Sequence, residues 1–457
     1  MSPLEPFQWM TIVWVFVLGT CLGSFLNVCI YRIPRHADLW SQLKGLGSPP
    51  STCPKCSNRI PARDNIPLLG WLKLGGRCRF CRTRISFRYP AIELFNGLLL
   101  VVLYWFEVPL DFESSWQFTA DIVHSCVYSP RGPQNAELMS DMLLMHLRFV
   151  LHLVLVESLV AATFIDLDRM EIPDATTVPA MLVAVVASGA SGVMYLVPVW
   201  FQDAAQLQSL ALILPDALHP LLGGSSNPAW IAEYPRLHGL AASLAGLVVG
   251  GGSVWTVRII GHAILRREAM GFGDVVLMAM IGSVIGWQPV LVVFFLAPVT
   301  ALVIVVVQLV LRRNREFPYG PYLSLATLLL LLGWKQIWPV AEPIFSLGLL
   351  VPVLGVFTAI MLAACLALVQ GAKLLLGIPL YPDEQPVAEW LPADQLGYLA
   401  GENVDAWQGR WRMPAETRWG GEAASRGQQA ENIWRYGGAS RPSSSLRPPG
   451  TEGRRSR

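Results

Sequence analysis

Phe164-Ile165-Asp166 and Gly271-Phe272-Gly273-Asp274 each place an aspartate where an apolar stretch meets a polar one. A carboxylate costs roughly 2.5 to 3.5 kcal/mol at the centre of a membrane helix, so aspartates at such positions imply a role. If the fold brings Asp166 and Asp274 together, like-charge repulsion makes them share a proton. One is then left as general base for a water and the other as general acid, which is the chemistry of an aspartic protease. Gly271 and Gly273 permit the close backbone approach that a site admitting an extended strand needs; otherwise they are a flexible loop. Asp168, beside Arg169, is a supporting candidate, as an auxiliary acid or as half of a membrane-edge ion pair. Asp174 follows Pro173 at the head of an apolar run and reads as a helix N-cap rather than a catalyst.

A second constellation is Cys53-x2-Cys56 followed, after 21 intervening residues, by Cys78-x2-Cys81. Paired CxxC elements suit a tetrahedral four-thiolate zinc site, although the separation slightly exceeds the usual ~15 to 20 residues. A reducing compartment disfavours disulfides. Pro54, Asn58, Gly75 and Gly76 supply turn chemistry around the thiols, and unligated thiols are the alternative. Cys21, Cys29, Cys126 and Cys365 are isolated and read as packing residues. His124, His146, His152 and His262 have no metal-like spacing.

The elements that must position these groups are membrane helices. Hydrophobic residues make up 53% of the chain, charged residues only 14%, and the mean hydropathy is +0.46. Apolar runs near 9–30, 91–107, 147–166, 175–200, 237–260, 274–287, 289–311, 321–339 and 343–376 approach the ~20 residues needed to cross a bilayer. The expected architecture is an all-α transmembrane bundle of about 8 to 9 spans. Its domains are a first span at 9–30, a cytoplasmic four-cysteine zinc loop at 31–90, a core at 91–376 and a disordered tail at 377–457. Residues 1–9 contain Glu5 and no Lys or Arg, so the first run is expected to remain a helix rather than act as a signal peptide. Gly19-x3-Gly23 and Gly246-x3-Gly250 read as helix-packing faces.

Lys and Arg crowd the segment from Arg32 to Arg88, against only Asp38 and Asp64, which places that loop in the cytoplasm. The next loop carries Asp111, Glu113, Asp121, Glu137 and Asp141, as an outer loop would. Counting crossings onward puts Asp166, then Arg266, Arg267 and Asp274, then Arg312, Arg313 and Arg315, on the cytoplasmic side. In the tail, Trp407, Trp411, Trp419 and Trp434 alternate with Arg410, Arg412, Arg418 and Arg435, but Pro, Gly and Ser dominate and no apolar period is present.

These residues resemble the type IV prepilin peptidases, GxGD-type membrane aspartic proteases, over roughly 14–335. Gly23-Ser24-Phe25-Leu26-Asn27-Val28 with Tyr31-Arg32-Ile33-Pro34 resembles the family's N-terminal signature, and the CxxC pairs its zinc loop. Arg88-Tyr89-Pro90 with Glu93 is similar to its entry to the second span. Ile165-Asp166 through Ile172-Pro173-Asp174 and Glu268 through Asp274 resemble the two catalytic motifs, and Pro318-Tyr319-Gly320-Pro321-Tyr322-Leu323 a third segment. The resemblance implies an inner-membrane endopeptidase of type IV pilus or type II secretion systems, its active site facing the cytoplasm. It would cleave the leader of prepilins or pseudopilins with Asp166 and Asp274. Many members then N-methylate the product with S-adenosylmethionine, though no nucleotide fingerprint is readable here, Gly45-x-Gly47 being too short. Structural Zn2+, S-adenosylmethionine, pilin-type substrates and lipid are the expected partners, and no nucleic acid. One departure stands out: Val276 occupies the place of a family lysine two residues after the GxGD aspartate. The alternatives are an ion-coupled transporter, which predicts an internal repeat not seen here, and an assembly factor that has lost catalysis.

Overall fold

In the computed structural model, the described residues are 6–36, 38–47, 50–108, 141–216, 219, 228–265, 270–311, 318–376, 403–405 and 410–412. Asp111, Glu113, Asp121, His124, Cys126, Glu137, Arg266, Arg267, Glu268, Arg312, Arg313, Arg315 and the tail residues Trp407, Trp419, Trp434, Arg418 and Arg435 lie outside them. The α-helices are α1 (Pro6–Arg32), α2 (Leu39–Gly47), α3 (Leu69–Lys73), α4 (Arg88–Glu107), α5 (Asp141–Arg169), α6 (Asp174–Ser191) and α7 (Ala204–Ala211). They continue with α8 (Trp230–Glu233), α9 (Pro235–Leu265), α10 (Phe272–Ile285), α11 (Trp287–Val310), α12 (Gly320–Leu332), α13 (Trp334–Phe345) and α14 (Leu350–Leu375). Two three-residue strands, β1 (Asn403–Asp405) and β2 (Arg410–Arg412), pair antiparallel in the tail. The protein is an all-α membrane bundle with a cluster of four cysteines. Its described residues form two compact units, within Met1–Gly47 and Asn96–Glu389, and within Ser48–Phe95 and Trp390–Arg457.

Among the described residues, seven helices are long and apolar enough to cross a membrane, or eight if the bent pair α12–α13 is counted as one span. Four of the nine apolar runs depart from a simple crossing. The run at 175–200 leaves the helix at Gly192, whose φ of 70° closes α6, and Met194 to Val197 continue as buried irregular chain. The run at 321–339 bends by 97° where Gly333 separates α12 from α13. The run at 343–376 becomes helical only from Leu350, after Gly348 at φ 62°.

The fourth departure is the most instructive. Helix α10 has 14 residues, so it is about 21 Å long, short of the ~30 Å hydrocarbon layer. It has no need to span, because it is enclosed. Val275 and Leu277 through Ile285 are buried, and α5, α6, α9, α11 and α12 all pack on it. The tightest partner is α9. A Cβ on Gly246 would fall on the Gly282 carbonyl, and one on Gly250 on the carbonyl of Met278. The sequence Gly246-x3-Gly250 is therefore a packing face, and the same holds for Gly19, where a Cβ would lie 2.8 Å from the Gly97 Cα. Gly286, at φ 91°, turns the chain from α10 directly into α11. Gln288 and Trp287 fasten that turn by donating to the Pro198 and Val199 carbonyls, each at 2.7 Å.

Candidate active site

Asp166 sits in the last turn of α5. Met170, at φ 58°, ends that helix while its N–H is still bonded to the Asp166 carbonyl at 2.8 Å. Asp274 lies in the first turn of α10, at the third helical position after the N-cap residue Gly271. A carboxylate at that position can reach back to the N-cap amide, and the Gly271 N–H is its backbone partner. The two aspartates are 4% and 8% exposed, and each lies within the other's electrostatic reach.

A third strand of chain completes the site. The Gly320 amide, at the start of α12, faces the Asp166 carboxylate, and Tyr319 lies within electrostatic reach of Asp274. A Cβ on Gly320 would stand 2.5 Å from Asp166 Oδ2, so only glycine fits there without moving the carboxylate. Ile172 wedges the three segments together. Its Cβ lies 3.0 Å from where a Gly273 side chain would begin, and its Cδ1 3.1 Å from the equivalent point on Gly320. Gly271 and Phe272 are exposed, which leaves the glycine-rich turn accessible beside two buried carboxylates. Asp168 is half-buried, and Val276 is half-buried on α10.

Asp174 is not the N-cap. Pro173 holds that position, and Asp174 is the exposed first residue of α6. The amide of Ala175 is instead capped from α2, by Gln42 Oε1 at 3.1 Å, while Gln42 Nε2 donates to the His36 carbonyl. Arg169 donates to the Pro34 carbonyl at 3.3 Å, and Arg32 to the Gly45 and Leu46 carbonyls at 3.2 Å each. Gly45 thus belongs to a helix whose end Arg32 satisfies, not to a nucleotide-binding turn. Of the histidines, His152 is buried against Glu107 at 2.7 Å and His262 is exposed.

In the second unit, the sulfurs of Cys53, Cys56, Cys78 and Cys81 all lie within 4.8 Å of one another, and this cluster could hold a metal ion. Two matching turns create it. Cys53 N–H bonds to Asn58 and Ser57 N–H to Cys53; Cys78 N–H bonds to Thr83 and Arg82 N–H to Cys78, all at 2.8 to 3.0 Å. The left-handed residue of each turn is Ser57 or Arg82, at φ 55° and 58°, while Gly75 and Gly76 bend the connection between them. Burial pushes the Cys53 thiol up to about 12, a penalty that a central cation would reverse. Arg79 clamps Asp64 in a two-point contact at 2.5 and 2.6 Å and holds its carboxyl below the ordinary range.

The family resemblance takes in Tyr319, Gly320 and Ile172 as motif members without an individual role for any of them, and Gln42 is not singled out at all. A Tyr-Gly-Pro turn opening an apolar run was the available signal for the first two, as a helix start. Nothing local marks Gln42, whose contact is with a residue 133 positions away.

Membrane helices that converge on a buried carboxylate pair place the chain among polytopic membrane proteins with an acidic, peptidase-like centre. Residues 17–106 match the bacterial peptidase A24 N-terminal domain, and 153–306 the type IV leader peptidase family. The chain is 28% identical over 347 residues to a prepilin leader peptidase/N-methyltransferase of Aeromonas salmonicida (strain A449), covering 71% of this chain and 90% of that one. For the Neisseria gonorrhoeae protein of the same name the figures are 27% over 355 residues, 74% and 95%. A type 4 prepilin-like proteins leader peptide-processing enzyme of Escherichia coli O78:H11 (strain H10407 / ETEC) is 30% identical over 322 residues, covering 67% and 88%. No solved structure matches the chain. The chain belongs to the type IV leader peptidase family and is a membrane peptidase.

Proposed function

We propose that this peptidase removes the leader of type IV prepilins or pseudopilins at the cytoplasmic face of the inner membrane, with Asp166 and Asp274 as its catalytic pair. The observation that carries the reading is the burial of both aspartates within reach of each other, each facing a backbone amide at a helix start. Two carboxylates so placed share one proton. The ionised member takes a proton from a water as it attacks the scissile carbonyl, and the protonated member passes its proton to the departing amine. Gly271, exposed and without a side chain, leaves room for an extended substrate segment beside the pair, Gly273 admits the close packing of Ile172, and Phe272, 60% exposed, is available to pack on the substrate. Gly320 and Ile172 are positioning residues. Asp168, half-buried two residues beyond Asp166, is an auxiliary acid at most.

Cys53, Cys56, Cys78 and Cys81 hold a structural Zn2+. The four-sulfur donor set fits that ion, and a closed thiolate site supplies folding energy rather than reactivity. The Lys- and Arg-rich loop between α1 and α4 supports an orientation with the acidic pair inside. The relatives named prepilin leader peptidase/N-methyltransferase support a second activity, methylation of the new N-terminus with S-adenosylmethionine as donor. Co-expression with a prepilin, followed by mass measurement of the product's N-terminus, tests both activities. A mass lacking the leader and carrying one added methyl group is expected. An intact leader would reject the cleavage reading, and a cleaved, unmethylated product the second activity.

A further inference from the structure

The four-cysteine lobe keeps three of its large aliphatic side chains outside. Ile66, Leu69 and Leu72 are 48%, 62% and 64% exposed. Leu69 and Leu72 lie three residues apart on α3 and share one of its faces, and Ile66 stands just before that helix, its carbonyl accepting from the Gly70 N–H; the three are the exposed aliphatic stripe of this segment. The outward direction is built in. On the opposite side of the turn Gly70 is buried so closely on Asp64 that a Cβ would strike the Asp64 carbonyl. Leu68 is held at φ 58°, its N–H bonded to Glu93 Oε2 at 2.7 Å. A non-glycine residue in that region is strained, and strain of this kind persists where the surrounding structure enforces it.

Charge identifies what covers the stripe. Lys55, Arg59, Arg63, Lys73, Arg77, Arg82 and Arg84 are exposed, and the only acidic residue over 50–87, Asp64, is already taken by Arg79. The chain runs from the lobe at Arg88 straight into α4, a helix fit to cross a bilayer, so no linker separates the lobe's chain from a membrane surface. Exposed aliphatic groups on a strongly cationic lobe are the composition of a segment lying at a headgroup layer. The tail does not offer the complementary charge, since 377–457 carries 10 acidic and 10 basic residues. A second copy of the lobe would bring the same excess of cations.

We propose that the four-cysteine lobe is a membrane-surface foot whose Ile66, Leu69 and Leu72 stripe seats in the headgroup region of an anionic bilayer. This stands apart from the reading of the acidic pair. The test uses the full chain in lipid nanodiscs, with a photoreactive benzophenone amino acid at position 72 and mass analysis of the adducts. Lipid adducts are expected, with a yield severalfold higher when phosphatidylglycerol is present than in phosphatidylcholine alone. Lys73→Gln should lower that yield by up to about fivefold. Adducts to the chain's own tail, adducts to a second copy, a lipid yield indifferent to headgroup charge, or no lipid adduct in either nanodisc would overturn the proposal. Metal content is measured on the same samples; should the probe at 72 cost the lobe its metal, the probe is moved to 69 and read by the same outcomes.

Discussion

In the helical core, order comes from close approach at glycine: Gly246 on the Gly282 backbone, Gly250 on the Met278 backbone and Gly320 on the Asp166 carboxylate leave no space for even one added carbon. In the four-cysteine lobe almost nothing apolar is buried. Two cysteine turns, one Arg79–Asp64 clamp and the edge contact of Trp71 with Phe87 hold it, and Ile66, Leu69 and Leu72 are exposed. Chains of this size rarely bury enough surface to stay folded without a staple. The contrast separates two kinds of vulnerability. A carboxylate pair tolerates little movement, so the core is sensitive to single methyl groups. The lobe has only to stay closed, so with the proposed Zn2+ in place it is sensitive to that ion.

That difference is open to attack from both sides. The largest effect is expected for Gly246→Val, whose side chain must displace the Gly282 backbone; a loss of more than about 4 kcal/mol, read as failure to recover monodisperse protein, is predicted. Normal recovery would show that the α9–α10 crossing is looser than described. Next is the double change Cys53→Ser with Cys78→Ser. Bound zinc should fall to background and limited proteolysis should cut within 50–87, while the core helices stay protected. Unchanged metal content would remove the site.

Gly320→Ala tests the core's sensitivity to a single methyl group at the carboxylate pair itself. Its Cβ would press on Asp166 Oδ2, so leader cleavage should drop about 100-fold, as for a reacting group displaced by about 1 Å. The thermal midpoint should hardly change; wild-type cleavage would mean that Gly320 does not position Asp166. The smallest effect belongs to Asp64→Asn. Losing the charge that Arg79 clamps should weaken zinc affinity by about tenfold, within the range for groups that support metal ligands, measured by competition with a chelator.

Much of this could be read from residue type and spacing, and the failures share a cause. The four-cysteine cluster was legible because thiol chemistry and short turns are local, and the glycine faces because spacing along a helix is local. The two aspartates stood out because charge is costly beside apolar runs. Apolar character, however, does not tell a spanning segment from an enclosed one: α10 and the irregular segment after Gly192 are apolar but are covered by protein. Gln42 capping α6 and Gly320 facing Asp166 depend on contacts far apart in sequence, which no window along the chain contains. Asp174 had the residue type of a cap but not the position, because Pro173 is the extended N-cap residue and Asp174 the first residue of the helix.

The central claim is that Asp166 and Asp274 act as one acid–base pair. The direct measurement is the N-terminal mass of a prepilin co-expressed with Asp166→Asn, with Asp274→Asn, and with both changes together, each inserted at the wild-type level. The account predicts an intact leader in all three, with the double variant no worse than either single one, because members of one catalytic unit are not additive. A folded single variant that still releases the leader at the wild-type rate would contradict it.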